Sequence, residues 1–321
     1  MSKFDRYLPE KLITALAKLA NAKSQNWWRE ILGNPDLHLA IRNGYLNVYA
    51  KGQSVFKIEL RDDERPLMTT HYKYLLKPKM SAGKEYVSFD GDKFLAGKQP
   101  IDPSLFIQNS YAPGKTISEL TRTAVSYSNP EKAGVHIIAR ENPDVIDMEI
   151  AFGSVSDPED PAPAAELDGE AAKPTFSARR IDLAALRADG NGRASLVFYE
   201  AKRFDDARLW GEKPEVLKQM KRYDKFLNEN EAVLKSAYVN ACKAIVLLRE
   251  AEGTRSVSTL VRDVSLGRRE LAIDKTCRLV IFGFDRDQQK GRLKQLEKVL
   301  GLANPMIARG SPKGLRLSAK G

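Results

Sequence analysis

Cysteine and histidine are scarce in this sequence. Two cysteines occur among 321 residues; they are too few for a disulfide framework, and their spacing is not that of metal ligands. The histidines His38, His71 and His136 lie far apart in the chain, which argues against a histidine-rich zinc site. Because disulfides characterise oxidising compartments, we expect a cytoplasmic protein in a reducing environment.

Long apolar runs are missing as well. The run Ala244–Leu248 is among the longest and covers five residues, whereas a membrane-spanning helix needs about 18. The first residues, Met1–Asp5, carry no apolar signal-peptide region. We therefore expect no membrane partner. Hydrophobic residues still make up 42% of the chain, which excludes wholesale disorder, and the length predicts about two domains.

Positive charge outweighs negative charge. The chain carries 52 lysines and arginines against 42 aspartates and glutamates, a net charge of +10. Such a balance favours polyanionic partners, above all nucleic acid, although many basic proteins bind none. The segment from Arg286 to Lys320 holds nine basic and two acidic residues. We predict that it is either a basic arm for a nucleic-acid backbone or a disordered, solubilising tail.

The first 110 residues have the pattern of a small α+β domain. The predicted elements are a helix over Tyr7–Ala20 and strands over Leu37–Arg42, Tyr45–Tyr49 and Val55–Leu60. The dipeptide Asn43-Gly44 between the first two strands is typical of a type I′ hairpin turn. Residues 61–110 give no clear pattern. We expect residues 1–110 to bind a substrate or a partner protein.

Residues 111–321 are predicted to form a second, larger domain. An acidic stretch interrupts it, because residues 154–174 carry six acidic residues, one basic residue and four prolines. That composition is typical of a mobile surface insertion. The predicted helices are 115–125, 131–140, 213–228, 256–270 and 292–300, and the predicted strands are 145–152, 179–187, 195–202, 244–248 and 279–284.

Two of these strands form a hairpin that brings three charged residues together. Turn residues lie around Asn191, and a hairpin centred there pairs Asp182 with Glu200. Directly opposed residues have Cβ atoms about 4.5–5.5 Å apart, and strand alternation places Lys202 on the same face as Glu200. The flanking residues are apolar, so we expect this face to be sheltered from solvent.

This trio has the composition of a metal site for phosphodiester chemistry. Two sheltered carboxylates repel each other unless one takes up a proton or a cation lies between them. Carboxylate oxygens that leave positions open for water and phosphate suit Mg²⁺, with Mn²⁺ as the alternative. Such an ion can polarise a phosphodiester and lower the pKa of bound water. The ammonium of Lys202 can position that water or stabilise charge developing on phosphorus.

A plainer interpretation is a salt bridge on the solvent face of a hairpin. An aspartate followed later by Glu-x-Lys occurs by chance in many sequences. Three features favour the metal site: the hairpin geometry, the apolar residues on either side, and the next predicted helix. That helix carries Gln219 and Tyr223 at spacing i, i+4, hence on one face. Tyr223 also lies on the apolar stripe of the helix, where packing in the core is expected.

The order of these residues resembles a known superfamily. Asp182 in Arg-Ile-Asp, then Glu200–Lys202 followed by Arg, then Gln219-x-x-x-Tyr223 is similar to the motif series of the PD-(D/E)XK nucleases, particularly their RecB-like and mismatch-endonuclease-like branches. The resemblance covers about residues 118–284. It implies an α/β (α+β) fold with a restriction-endonuclease-like αβββαβ core behind the N-terminal α+β domain. The implied core consists of strands 145–152, 179–187 and 195–202, helix 213–228 and strand 243–248.

The resemblance also implies chemical roles for the motif residues. Asp182 and Glu200 would ligate the Mg²⁺ ion. The backbone carbonyl of Ala201 would add a further ligand. Lys202 would orient the attacking water.

Supporting residues follow from the same resemblance. Gln219 and Tyr223 would contact the DNA backbone or buttress the site. The superfamily often adds an acidic residue from its first core helix, for which Glu119 and Glu131 are the candidates. Glu149 on the first core strand is a third candidate, and the sequence does not choose among them.

We therefore expect a Mg²⁺-dependent nuclease, in the first place an endonuclease acting on DNA. By family analogy it acts in phage defence, restriction or repair, as a homo-oligomer or with a partner subunit. Two alternatives stay open: a catalytically inactive nucleic-acid-binding or assembly subunit of the same fold, and a ribonuclease of that fold. The intact Asp182, Glu200 and Lys202 argue against the first, and nothing in the sequence separates DNA from RNA.

Overall fold

The computed structural model describes residues 4–75, 86–91, 93–95, 110–151, 180–189, 191–250, 256–300 and 306–317. Within these ranges the chain is a mixed α+β structure built on two β-sheets. The acidic segment 154–174, for which a mobile insertion is predicted, lies outside the described residues. None of the helices in the described ranges is both long and apolar enough to cross a bilayer.

The first sheet is an antiparallel meander. Its strands are β1 (His38–Ile41), β2 (Leu46–Ala50), β3 (Gln53–Leu60), β4 (Pro66–His71), β5 (Tyr86–Phe89) and β6 (Phe94–Leu95). The helices beside it are α1 (Glu10–Ala20), α2 (Trp27–Gly33) and α3 (Thr116–Ser126). Leu12 and Leu16 of α1 are fully buried, so the face of α1 that carries these leucines packs on the sheet.

The hairpin of β1 and β2 confirms the predicted pairing, but its turn is not of type I′. A type I′ turn needs positive φ at both central residues, and of these two only Gly44 has one, at +84°. Asn43 forms a β-bridge with Tyr7, and the Gly44 N–H donates to the Tyr7 carbonyl. These contacts with the preceding segment hold Asn43 outside the left-handed region, so the type I′ prediction was wrong.

The second sheet carries the candidate site. β7, β8 and β9 are antiparallel neighbours. β9 then pairs in parallel with β10 along its first half and with β11 along its second half, and β12 pairs in parallel with β11. These strands are β7 (Val145–Ala151), β8 (Arg180–Ala188), β9 (Ala194–Arg203), β10 (Leu271–Ile273), β11 (Arg278–Phe282) and β12 (Met306–Arg309).

Helices connect the strands of the second sheet. The first, α4 (Pro130–Glu141), precedes β7. Between β9 and β10 lie α5 (Glu215–Glu229), α6 (Glu231–Glu250) and α7 (Thr259–Ser265). A final helical stretch runs from α8 (Arg286–Gln288) through a π-helical turn to α9 (Lys294–Leu300). The helices predicted over 115–125, 131–140 and 213–228 are confirmed within one or two residues at each end.

The strand predicted over 244–248 was wrong, because these residues end helix α6. The buried positions Leu234, Tyr238 and Ile245 recur at helical spacing, whereas Leu247 is 51% exposed. A short apolar run fits either a strand or a buried helix, and the stripe that decides between them begins well before the run. The strand that follows α5 in the second sheet is β10 and then β11, rather than residues 243–248.

The helix predicted over 256–270 is shorter than expected. Only Thr259–Ser265 is helical. The helix begins there because Ser258 caps its first turn, with its side chain accepting from the Val261 N–H. The helix stops at Gly267, which has a φ of +68°. A glycine in this conformation is the common stop signal of a helix.

The basic C-terminal segment is part of the fold where the structure describes it. β12 (Met306–Arg309) is the last strand of the second sheet. Leu315 and Leu317 are buried in its core, and the Tyr199 hydroxyl donates to the Leu317 carbonyl at 3.2 Å. The apolar residues among the charges thus fasten the segment to the sheet. This excludes a disordered tail for residues 306–317.

The two sheets share one apolar core. Leu16 of α1 and Phe56 of β3 belong to the same contiguous buried cluster as Phe198 of β9 and Tyr238 of α6. Helix α3 follows residue 110 in the chain, yet it packs on β2 and β3 of the first sheet. The division into domains at residue 110 stays a prediction.

Candidate functional site

The register of the β8–β9 hairpin brings Asp182 beside Glu200. Leu183 pairs with Tyr199, and the next opposed position in this register holds the two acidic residues, as predicted. The Ala201 N–H donates to Asp182 Oδ2 at 2.7 Å. The Asp182 carboxyl is thereby held against the strand that carries the second acid.

Lys202 lies on the same face as Glu200, as strand alternation predicts. Its Nζ donates to Glu200 Oε1 and, at 3.2 Å, to the Ala201 carbonyl. Glu200 is 1% exposed and Lys202 is 2% exposed, because apolar residues of both strands surround them. The interpretation as a salt bridge on the solvent face is wrong, since neither partner reaches the surface.

The charges in this cluster do not balance. Burial, followed by repulsion from Glu200, raises the pKa of Asp182 well above its usual value. Burial also raises the pKa of Glu200, although the ammonium of Lys202 opposes the shift. Burial alone would lower the pKa of Lys202, but the carboxyls around it outweigh burial and raise it. One lysine thus stays protonated beside two carboxyls that resist losing their protons.

A hydrogen-bonded chain from helix α5 fixes the Glu200 carboxyl. Gln219 Nε2 donates to Glu200 Oε1 at 2.7 Å, and it lies at the same distance from the Tyr223 hydroxyl. That hydroxyl donates to the Arg180 carbonyl at 2.5 Å, and the Tyr223 ring is buried in the core. Of the two roles expected for Gln219 and Tyr223, the contacts are those of a buttress.

Glu149 of β7 joins the cluster through an unusual backbone. Its φ of +53° lies in the left-handed region that side chains other than glycine rarely adopt. Its Oε2 lies 3.6 Å from Arg180 Nη1, and its charge contributes to the raised pKa of Asp182. Such a conformation persists only where the surrounding structure holds the residue in place, and it is frequent at functional sites.

Glu131 lies close to Lys202, whereas Glu119 is on a helix that packs against the first sheet. Glu131 lies in the first turn of α4, and its Oε1 is 3.9 Å from Lys202 Nζ. Burial raises its pKa, and Lys202 opposes the shift. Glu119 in α3 forms its ion pair with Arg122 at 3.8 Å. Of the three additional acids considered, the structure brings Glu131 and Glu149 to the site.

One buried oxygen at the centre of the cluster has no hydrogen-bond partner among the described residues. Glu200 Oε2 is enclosed, while Oε1 of the same carboxyl serves both Lys202 and Gln219. A buried carboxylate oxygen without a donor is costly unless a cation or a proton meets it. This oxygen and the nearby Asp182 carboxyl fit a divalent cation that takes its remaining ligands from water and phosphate.

The protein supplies few ligands for such a cation. Across the described ranges, no group of three or more His, Cys, Asp or Glu side chains is arranged to hold a metal ion. A site here would rest on Asp182, Glu200 and a backbone carbonyl such as that of Ala201. Mg²⁺ is commonly bound through one or two carboxylates, with several waters retained.

Two arginines at the edges of the cluster were not identified from the sequence as part of the site. Arg180 reaches Glu149, and Arg208 Nη2 lies 3.8 Å from Glu131 Oε1. The side chain of Arg208 is 41% exposed, and Asp206 holds it in a forked ion pair in which Arg208 Nη2 lies 2.5 Å from Asp206 Oδ2. The signal available in the sequence was the short Asp206-x-Arg208 spacing directly after the site strand.

Comparison with known proteins adds no further constraint. No protein-family model, no curated protein and no solved structure matches this chain.

Proposed function

We propose that the chain is a metal-dependent nuclease of the PD-(D/E)XK superfamily that hydrolyses phosphodiester bonds in DNA. The observation that carries the proposal is the convergence of Asp182 with the buried Glu200 and Lys202 on one face of a hairpin. The glutamine-to-tyrosine pair on the next helix is bonded to the same carboxyl. Chance matches to a short motif do not predict this joint arrangement.

The order of elements supports a restriction-endonuclease-like core. Helix α4 is followed by the antiparallel strands β7, β8 and β9, then by helix α5, and later by β11 parallel to β9. This is the αβββαβ order that the resemblance implies. The chain departs from it by inserting α6, α7 and β10 before the last strand.

Asp182 and Glu200 would hold Mg²⁺ or Mn²⁺, with the Ala201 carbonyl as a third protein ligand. When bound, such an ion polarises the phosphodiester and lowers the pKa of a coordinated water. The remaining work falls to the protein. Gln219 keeps one Glu200 oxygen oriented, so that the other oxygen stays available.

Lys202 would act on the water and on the developing charge. Its ammonium stays protonated because three carboxyls raise its pKa, so it can donate hydrogen bonds but cannot serve as a base at neutral pH. A buried cation beside the reacting phosphate stabilises the negative charge that increases in the transition state. We assign Lys202 to orienting the water and stabilising that charge.

The direct test is incubation of the purified protein with supercoiled plasmid, linear DNA and RNA, each in Mg²⁺, Mn²⁺ or EDTA. We expect divalent-dependent cleavage of DNA, and opening of the supercoiled circle would identify endonuclease action. Cleavage of RNA alone would replace the substrate and keep the chemistry. Binding without cleavage in either metal would favour the inactive assembly subunit.

A further inference from the structure

The site is the middle of a row of charged side chains. From one edge to the other, the row contains Arg180, Glu149, Asp182, Glu200, Lys202, Glu131 and Arg208. Neighbouring members interact through the ion pairs and the repulsion between carboxyl groups described above. The acidic groups are therefore enclosed between cations, with an arginine at each end.

Exposure increases from the centre of this row to its ends. The side chains of Glu200 and Lys202 are 2% and 3% exposed, whereas those of Arg180 and Arg208 are 29% and 41% exposed. Glu200 and Lys202 are thus closed to bulk solvent, and the row meets the surface at guanidinium groups. A polyanionic chain that reached the centre would pass these groups on the way in and on the way out.

We propose that Arg180 and Arg208 form a phosphate clamp that holds the phosphates on either side of the one positioned at Asp182 and Glu200. This inference rests on the proposed function, because it takes the reacting phosphate to lie at the paired carboxyls. The ligand class is the phosphodiester backbone itself, irrespective of base sequence.

The chemistry of the two ends suits this task. A guanidinium has five N–H donors and matches the oxygens of a phosphate in a two-pronged contact. Asp206 accepts from Nε and Nη2 of Arg208, which fixes the plane of the group and leaves other N–H donors for a ligand. Glu149 is the corresponding carboxylate beside Arg180. An arginine already oriented loses less conformational entropy when it binds a phosphate.

The clamp is tested by the salt dependence of binding. A short fluorescent DNA duplex is titrated with the wild type, Arg180→Gln and Arg208→Gln, with Ca²⁺ in place of Mg²⁺, over a series of salt concentrations. Each substitution is expected to weaken binding about tenfold and to reduce the log–log salt slope by roughly 0.9. The lysine variants Arg180→Lys and Arg208→Lys should retain the slope, because they retain the charge.

Two further variants separate a phosphate contact from a structural ion pair. Asp206→Asn removes the partner of Arg208 and keeps the guanidinium, so the salt slope should stay at the wild-type value. If the pair were purely structural, Asp206→Asn and Arg208→Gln would impair binding equally. Arg193→Gln removes a half-exposed arginine, paired with Asp189 at the far end of the same hairpin, and should leave binding unchanged. The thermal unfolding temperature of each variant reports on its fold.

The outcomes distinguish the clamp from the nuclease. Wild-type slopes for both glutamine variants would overturn the clamp, even if the wild type cleaves DNA. Reduced slopes in a protein that binds but never cleaves would support the clamp and reject the nuclease. A wild type that binds neither DNA nor RNA would overturn the clamp as well.

Discussion

Two clusters of charged side chains on the second sheet, one around Asp147 and one around Asp182 and Glu200, differ in their balance of charge. Asp147 on β7 accepts from Arg6 Nε at 2.8 Å and from Arg42 Nη1 at 2.5 Å, and the Tyr238 hydroxyl donates to it at 3.0 Å. One carboxylate thus faces two guanidinium groups. At the candidate site, Asp182 and Glu200 share a single lysine.

The difference in charge sets the pKa values in opposite directions. Burial would raise the pKa of Asp147, but Arg42 and Arg6 outweigh burial and hold it below the usual 3.8. The pKa values of both site carboxyls are raised. A carboxylate with two guanidinium groups beside it needs no further cation, whereas two carboxyls that share one lysine are short of positive charge and suited to a cation from outside. The first cluster fastens the N-terminal segment to the sheet, and we propose that the second binds a ligand.

The largest expected effect comes from removing either carboxyl of the candidate site. Asp182→Ala and Glu200→Ala should each reduce the rate of DNA cleavage at least about a thousandfold, or about 4 kcal/mol in barrier, because each removes a carboxylate that would hold the ion. Cleavage rates are measured in Mg²⁺. Glu119→Gln, which alters an acid away from the site, is the control. Full activity of Glu200→Ala would reject this location for the chemistry.

The next largest effect comes from breaking the cluster around Asp147. Asp147→Asn should lower the free energy of unfolding by about 3–5 kcal/mol near neutral pH, because it leaves two buried guanidinium groups without their anion. The folded-state pKa of Asp147 lies below 3.8, its usual value. The stabilisation by Asp147 is therefore complete above pH 3.8 and is lost as the pH falls through the folded-state pKa. The difference in free energy of unfolding between the wild type and Asp147→Asn should therefore become smaller in acid. A gap that stays constant from neutral to strongly acidic pH would contradict the ion-pair account.

Removal of the single site cation should separate catalysis from binding. Lys202→Met should reduce the single-turnover cleavage rate roughly a hundredfold or more, with DNA affinity close to that of the wild type, since a buried ammonium acts mainly on the transition state. As a control, Lys218→Met changes one of the exposed lysines of α5 and should leave the cleavage rate unchanged. Loss of affinity without loss of rate in Lys202→Met would reverse the assignment.

The smallest effect concerns stability without metal. Asp182→Asn relieves repulsion from Glu200 while an amide oxygen still accepts from the Ala201 N–H, so the apo melting temperature should rise slightly or stay unchanged. The increase that Mg²⁺ gives the wild type should disappear. Thermal unfolding with and without Mg²⁺ measures both. A fall of several degrees in the apo form would mark Asp182 as a structural partner of Lys202.

Local signals in the sequence were sufficient to predict how the central residues of the site are arranged. The turn around Asn191 fixes the hairpin register, and Asp189 caps that turn by accepting from the N–H groups of Asn191 and Arg193. The alternation of a strand then places Lys202 beside Glu200. Helical spacing does the same for Gln219 and Tyr223. Each of these relations spans few residues, so it can be predicted without knowledge of the whole fold.

Relations between distant segments could not be predicted in this way. The bond from Arg42 to Asp147 joins residues 105 positions apart, and that from Arg6 joins residues 141 apart. The choice among the additional acids depends on how α4 and β7 pack against the hairpin. The helical state of the apolar run in α6 could not be predicted from the run alone either, because the stripe of buried residues that identifies the helix extends beyond it.

Binding of Mn²⁺ in the absence of DNA tests the central claim most directly, namely that Asp182 and Glu200 form a site short of positive charge. Isothermal titration calorimetry is carried out on the wild type, Asp182→Asn, Glu200→Gln and the control Glu119→Gln. The account predicts saturable binding to the wild type and the control, and its loss in the two site variants. Equal binding of Mn²⁺ to the wild type and Glu200→Gln would contradict it.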